Sequence, residues 1–263
     1  MTRLDEIVRQ RRADLPMERE GVSDAELRAA AAARVHRSLH AALRREARPR
    51  IIAEVKKRSP SAGLILDPYS PADVAAEYER SGAVAISVLT EPRYFGGRVE
   101  DLAAVRQRVR LPVLRKDFLF DPWQILQSAA GGADAVLLIV AALDPETCVS
   151  LYQEALRWGL EVIVETHEEP ELETALRCPD AILGVNNRNL REMRTHLDIS
   201  RRLAPLLPGS QLAISESGLK NGSDLAGLEA LGFSGFLIGE SLLRSGSPGD
   251  ALARMIREAE SRP

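Results

Sequence analysis

Positive charge is not in excess in this sequence: 35 basic side chains stand against 38 acidic ones, a net of −3. A polybasic nucleic-acid surface is excluded by that balance. Long apolar runs are missing too, since the longest, Ala135 to Leu143, falls far short of the roughly 20 residues a spanning helix needs. No membrane partner is expected. Cysteine is almost absent, and Cys148 and Cys178 show no CxxC spacing. They read as small buried side chains in a reducing compartment rather than as a disulfide or zinc site. The N-terminus, Met1-Thr2-Arg3-Leu4-Asp5-Glu6, lacks the apolar core of a signal peptide and carries acids that transit peptides avoid. A cytoplasmic location is expected. The four histidines, His36, His40, His167 and His196, are scattered. His36 and His40 have helical i, i+4 spacing without a third ligand, so surface positions and no metal are expected. Only His167 follows a strand end, and no catalytic base is assigned to it.

What is present is an ordinary globular composition, 45% hydrophobic and 28% charged, in 263 residues. That length suits two small domains or one α/β barrel of roughly 250 residues. Residues 1–48 read as an alanine- and arginine-rich helical extension, with Leu4, Ile7 and Val8 on one face and Ser23 to Glu26 fitting a capping box. From Ile51 the pattern changes to short β-branched runs alternating with amphipathic stretches. Strands are expected at 51–55, 84–89, 112–116, 135–140, 161–165, 182–186, 211–215 and 235–239. Helix-start signals follow several of them: Ser70-Pro71, Asp121-Pro122 with Gln124, Asp144-Pro145, and Thr166 with Glu169. Eight strand–loop–helix units over residues 49–263 predict an α/β fold, a single (β/α)8 barrel. An open doubly wound sheet is the alternative, but no GxGxxG follows the first strand.

Barrel enzymes place their sites at the carboxyl ends of the strands, so the last residues of each strand carry the functional signal. The first ends Glu54-Val55-Lys56, and alternation puts Glu54 and Lys56 on the same inward face as Ile52. By the same rule Lys116 points inward between Leu114 and Phe118. Glu165 ends the fifth strand, Asn186 and Arg188 follow the sixth, and Glu216 with Ser217 follows the seventh. Glu54, Glu165 and Glu216 balance Lys56, Lys116 and Arg188, the parity a preassembled site needs because unpaired buried charge is expensive. Burial is expected to ease proton release from Lys116. Arg115 and Lys57 alternate outward and read as structural ion-pair partners. Trp123 and Trp158 read as packing residues. After the last two strands, Gly218 and Gly239-Glu240 either permit tight turns or present main-chain N–H groups to a phosphate. Glu240 must then turn its carboxylate away from the anion.

The segments Ile52-Ala53-Glu54-Val55-Lys56-Lys57-Arg58-Ser59-Pro60-Ser61, Ser87-Val88-Leu89-Thr90-Glu91, Tyr94-Phe95-Gly96-Gly97, Leu114-Arg115-Lys116-Asp117-Phe118, Val185-Asn186-Asn187-Arg188-Asn189-Leu190 and Ser215-Glu216-Ser217-Gly218 resemble the indole-3-glycerol phosphate synthase family over essentially the whole chain. The resemblance implies ring closure of 1-(2-carboxyphenylamino)-1-deoxyribulose 5-phosphate with loss of carbon dioxide and water, in tryptophan biosynthesis. It implies Lys116 as general acid, Glu165 as its orienting partner, and Lys56 with Glu54 for the later proton transfers. Asn186, Arg188, Glu216, Ser59 and Ser217 would position the substrate. Phe95, Phe118 and Leu190 would wall the anilino ring, and Gly218, Gly239 and Glu240 would lie at the phosphate. No cofactor and no metal are implied, the only partner is the small-molecule substrate, and a monomer is expected. The alternatives are a sugar-phosphate isomerase on the same scaffold and a non-catalytic sugar-phosphate-binding barrel. Such isomerases end strand one with cysteine, where this chain has Glu54, and a mere binder has little need of paired acids and bases.

Overall fold

A computed structural model describes residues 2–46, 49–189 and 194–261. Three helices come first: α1 (Arg3–Arg19), α2 (Asp24–Ala33) and α3 (Leu39–Leu43). Thr2 opens α1 through a reciprocal capping box with Asp5. Ser23 accepts from the Glu26 N–H at 3.3 Å, the forward half of the box expected there. Eight parallel strands follow: β1 (Ile51–Val55), β2 (Ala85–Leu89), β3 (Val113–Lys116), β4 (Ala135–Ile139), β5 (Glu161–Thr166), β6 (Ile182–Asn186), β7 (Ala213–Glu216) and β8 (Gly235–Ile238). They pair in chain order, and β8 closes the barrel against β1 with Ile52 opposite Leu237. The fold is the (β/α)8 barrel, with each expected strand present and shifted at its ends by no more than two residues.

Helices α4 (Pro71–Arg80), α5 (Glu100–Arg108), α6 (Pro122–Ala130), α7 (Pro145–Arg157), α8 (Glu171–Ala175), α9 (Asp198–Leu203), α10 (Gly222–Glu229), α11 (Glu240–Leu243) and α12 (Pro248–Glu260) fill the outer layer. Asp121 forms a full capping box with Gln124, and Asp144 accepts from the Thr147 N–H at 2.9 Å. Two expected starts differ. Ser70 precedes α4 but spends its hydroxyl on Asp73 instead of the backbone. Thr166 starts no helix: it is the last residue of β5, its hydroxyl donates to the Gly184 carbonyl, and α8 begins only at Glu171. A small antiparallel hairpin, Arg58–Ser59 with Gly63–Leu64, also interrupts the first strand-to-helix loop.

Side-chain alternation sorts two cores. Ile52, Leu114, Leu137, Ile163, Ile182, Ile214 and Leu237 fill the barrel interior, and Leu39 and Leu43 of α3 plug its lower end. Ile51, Ala53 and Val55 face the helices instead, in the outer core that also holds the unpaired Cys148 and Cys178. At the lower rim Glu161 accepts from the Ser38 hydroxyl at 2.7 Å and the His40 N–H at 2.8 Å, with the His40 and His36 rings at 3.2 and 3.3 Å. His36 is exposed, as expected, and His40 half-buried, and both rings sit on this carboxylate of β5. Trp123 is buried on α6 and donates to Asp24, and Trp158 donates to Glu154 at the end of α7. Among the described residues no helix is long and apolar enough to cross a membrane.

Candidate active site

The carboxyl ends of the strands open into a cavity of about 730 Å³. Its wall includes Glu54, Lys56, Ser59, Phe95, Lys116, Phe118, Glu165, Asn186, Arg188, Ser217, Gly218, Gly239 and Glu240. Glu216 is the exception: it is fully buried beneath Lys116 and does not line the cavity. Leu190 lies outside the described residues.

Each charge reaches the mouth because strand alternation leaves it inward after an apolar interior residue. Just past the end of β1, Lys56 Nζ donates to Glu54 Oε1 at 2.6 Å. Burial would raise the Glu54 carboxyl, but the charges of Lys56, Lys116 and Arg188 hold it below the ordinary value. Gly239 makes this placement possible: a Cβ there would stand 2.4 Å from Glu54 Oε1. On β3, Lys116 Nζ lies 2.5 Å from Glu216 Oε2 and 3.5 Å from Glu165 Oε2. Burial pushes this ammonium down, yet Glu216, Glu165 and Glu54 together raise it above the ordinary lysine value. The expected easing of proton release is thus reversed, because carboxylates from three strands outweigh the apolar neighbours. Burial and the adjacent Glu165 charge push Glu216 up to about 7 despite Lys116, while Glu165 is held low by Lys116 and the His167 ring.

The apolar wall is a tilted ring pair, Phe95 and Phe118, with centroids 6.2 Å apart. Phe95 is presented by a loop wound on the buried Glu91 carboxylate, which accepts from the N–H groups of Arg93, Tyr94 and Phe95. Arg115 is fully buried outside the barrel and pairs with Asp117 at 2.9 Å, a structural ion pair as expected. Lys57 has no such pair among the described residues, as its side chain lies along Gly96. Opposite the rings, Ser217 and Gly218 both adopt left-handed backbone, with φ of 67° and 78°. The buried Asn187 holds that turn by donating to Ser215 Oγ and to the carbonyls of Glu216 and Ser217. Glu240 turns to Arg244 at 3.2 Å and Arg188 at 3.8 Å, so its carboxylate is neutralised by two guanidinium groups.

Several contributors carry no signal at a strand end. Arg3, Leu4 and Ile7 of α1 reach the cavity, so the N-terminal extension forms part of its wall. Arg194, Lys220 and Arg244 add positive charge beyond the expected set. Asn187 escapes because alternation points it away from the cavity, and only its pairing with Asn186 at a strand end hints at it. His167 does follow a strand end, but its partner Glu171 lies beyond an irregular turn, so the pairing has no signal in the sequence.

A closed parallel barrel with ammonium–carboxylate pairs gathered against an aromatic wall at its strand ends places the chain in the (β/α)8 class, with its cavity where such barrels carry their sites. The sequence profile described as indole-3-glycerol phosphate synthase matches residues 4–255. Indole-3-glycerol phosphate synthase of Rhodospirillum rubrum is 46% identical over 210 residues, covering 80% of each chain. That of Nocardioides sp. is 44% identical over 255 residues, covering 97% of this chain and 98% of the relative. The chain belongs to the indole-3-glycerol phosphate synthase family. Among solved structures, 3-hexulose-6-phosphate synthase from Salmonella typhimurium overlays with a TM-score of 0.64 at 11% identity, covering 81% of this chain and 99% of that one. Thiamine phosphate pyrophosphorylase from Pyrococcus furiosus overlays at 0.60 with 15% identity, covering 80% and 95%. These two likenesses concern the barrel alone.

Proposed function

We propose that the chain is a carboxy-lyase that closes 1-(2-carboxyphenylamino)-1-deoxyribulose 5-phosphate to indole-3-glycerol phosphate, releasing carbon dioxide and water, as a step of tryptophan biosynthesis. The observation that carries this reading is the pair of ammonium groups, Lys116 and Lys56, each seated on carboxylates in one cavity beside the Phe95–Phe118 wall.

The aromatic carbon bearing the carboxylate attacks the ketone carbon of the sugar chain, and negative charge develops on the ketone oxygen. Lys116 enters as a firmly charged ammonium and meets that oxygen, and the developing alkoxide is basic enough to take its proton. Glu165 and Glu216 keep the ammonium aimed. Loss of carbon dioxide returns the bonding electrons to the ring, so regained aromaticity drives the step and no electron sink is required. Lys56 then protonates the departing hydroxyl, and Glu54 removes the remaining ring proton to complete the indole. Their 2.6 Å contact suits a proton passed between them.

Arg188 offers a planar fork to a substrate anion, with Asn186 fixing its backbone through a 3.0 Å bond to the Arg188 N–H. The turn at Ser217-Gly218 and the start of α11 at Gly239-Glu240 form the phosphate end, with Lys220 and Arg244 nearby. Neutralisation of Glu240 by Arg188 and Arg244 removes the objection of its negative charge. Two free buried thiols suit a reducing, cytoplasmic setting. Incubation with the carboxyphenylamino-deoxyribulose phosphate should produce indole absorbance and fluorescence. A flat trace from folded protein would reject the reading in favour of a barrel that only binds sugar phosphate.

A further inference from the structure

His167 is a buried titratable group that the reaction above leaves unused. It directly follows β5, is 4% exposed, and does not line the cavity. Its Nε2 lies 3.4 Å from Glu165 Oε1, while the other oxygen of Glu165 faces Lys116. Its Nδ1 lies 3.6 Å from Glu171 Oε2, the same oxygen that accepts the His167 backbone N–H at 2.6 Å. The main chain is thus bonded to one carboxylate, and the ring stands between that carboxylate and a second. Neither ring nitrogen makes a hydrogen bond, so both carboxylates stand at ion-pair distance from a buried ring without other polar partners. A neutral imidazole carries one N–H, so it would turn a bare lone pair toward one of the two carboxylates. In a buried setting that arrangement is repulsive, whereas a doubly protonated ring suits both sides.

We propose that His167 is a positioning residue for the reaction: as an imidazolium between Glu165 and Glu171, it keeps Glu165 ionised and turned toward Lys116. This rests on the reading of Lys116 as the acid of ring closure. Burial pushes the imidazole down, but Glu171, Glu165 and Glu216 raise it above the ordinary histidine value. Those are the charged groups facing it, from α8, β5 and β7, and Lys116 of β3 lies beyond Glu165. The consequence is a division of labour between two neighbouring carboxyls. Glu216 holds the proton more readily, and Glu165, backed by a cation, stays the anion that steers the lysine. Without that cation the proton held by Glu216 is free to move to Glu165, and the anion that steers Lys116 shifts from β5 to β7. The imidazolium is present at low pH and is lost as pH rises through its raised pKa, so its contribution disappears on the alkaline side.

Side-chain nitrogen NMR of the full chain, with the His167 signals assigned by their loss in His167→Gln, tests the protonation state directly. Both ring nitrogens should be protonated at neutral pH, with a midpoint above the ordinary value of about 6.5. A neutral ring at pH 6 would overturn the proposal. In turnover, His167→Phe should lower kcat about tenfold or more with KM within about threefold, and remove the alkaline limb that follows the histidine titration. His167→Gln, whose amide can still donate to Glu165, should recover part of the loss. A pH profile that keeps its shape in both variants would mean a packing role and refute the proposal. If neither variant folds, the titration of the unaltered protein decides. Absence of any turnover in the unaltered protein would reject the proposed reaction, and the NMR result would still decide the state of His167.

Discussion

Lys116 Nζ stands 2.5 Å from Glu216 Oε2, and Glu216 is wholly buried beneath the cavity instead of in its wall. The charge of the lysine is therefore held by a residue that the cavity leaves out of reach. Glu216→Gln keeps the shape and removes the anion. It should lower kcat roughly 10- to 100-fold with KM within about threefold, because the interaction serves the reacting state more than binding. Since the Glu216 anion helps raise Lys116, loss of the lysine proton at high pH should set in at lower pH in this variant. Kinetics across a pH series check both statements.

Gly239 gives Glu54 its room. An alanine there would place Cβ 2.4 Å from the carboxylate oxygen and 2.9 Å from the Glu54 Cβ, which strand β1 cannot easily withdraw. Gly239→Ala should displace Glu54 and part it from Lys56. Turnover should fall on the order of 100-fold while stability changes by about 1–3 kcal/mol, the usual range for overpacking. Steady-state rates beside urea unfolding separate the two effects.

Glu161 ties the N-terminal extension to the base of the barrel. Burial would raise its carboxyl, but hydrogen bonds from the His40 ring, the Ser38 hydroxyl and the His40 N–H lower it to about 2. A depressed folded-state value stabilises the protein above the ordinary carboxylate pKa of about 4.3, and that contribution is lost as pH falls toward 2. Stability should drop by up to about 3 kcal/mol across this window, and Glu161→Gln should flatten the dependence. Urea midpoints measured from pH 5 downward provide the comparison.

Strand ends were the most legible part of this chain. Period-two alternation after Ile52, Leu114 and Ile163 was enough to aim Glu54, Lys116 and Glu165 at one mouth, because a closed barrel gives every inward side chain the same interior. Contacts that depend on which strands stand side by side were not legible in the same way. Strand alternation sets Lys116 on one face with Leu114 and Phe118, and that neighbourhood alone implies a lowered pKa. Its true surroundings are carboxylates from β1, β5 and β7. Thr166 and Glu169 carry the letters of a helix start, yet β5 continues through Thr166 and a neighbouring carbonyl takes its hydroxyl. The role of α1 in the cavity wall depends on tertiary docking, to which an amphipathic pattern is blind. Leu4 and Ile7 carry only the signal of an apolar helix face in the sequence, and in the fold the barrel mouth lies beneath them.

The most direct measurement is single-turnover ring closure by Lys116→Met, run beside calorimetric binding of a non-cyclising anilino sugar phosphate. Removal of the ammonium should abolish indole formation while affinity stays within roughly tenfold, since the group is needed mainly as charge builds on the ketone oxygen. Indole formed at a near-normal rate by this variant would contradict the assignment of Lys116 as the acid of ring closure.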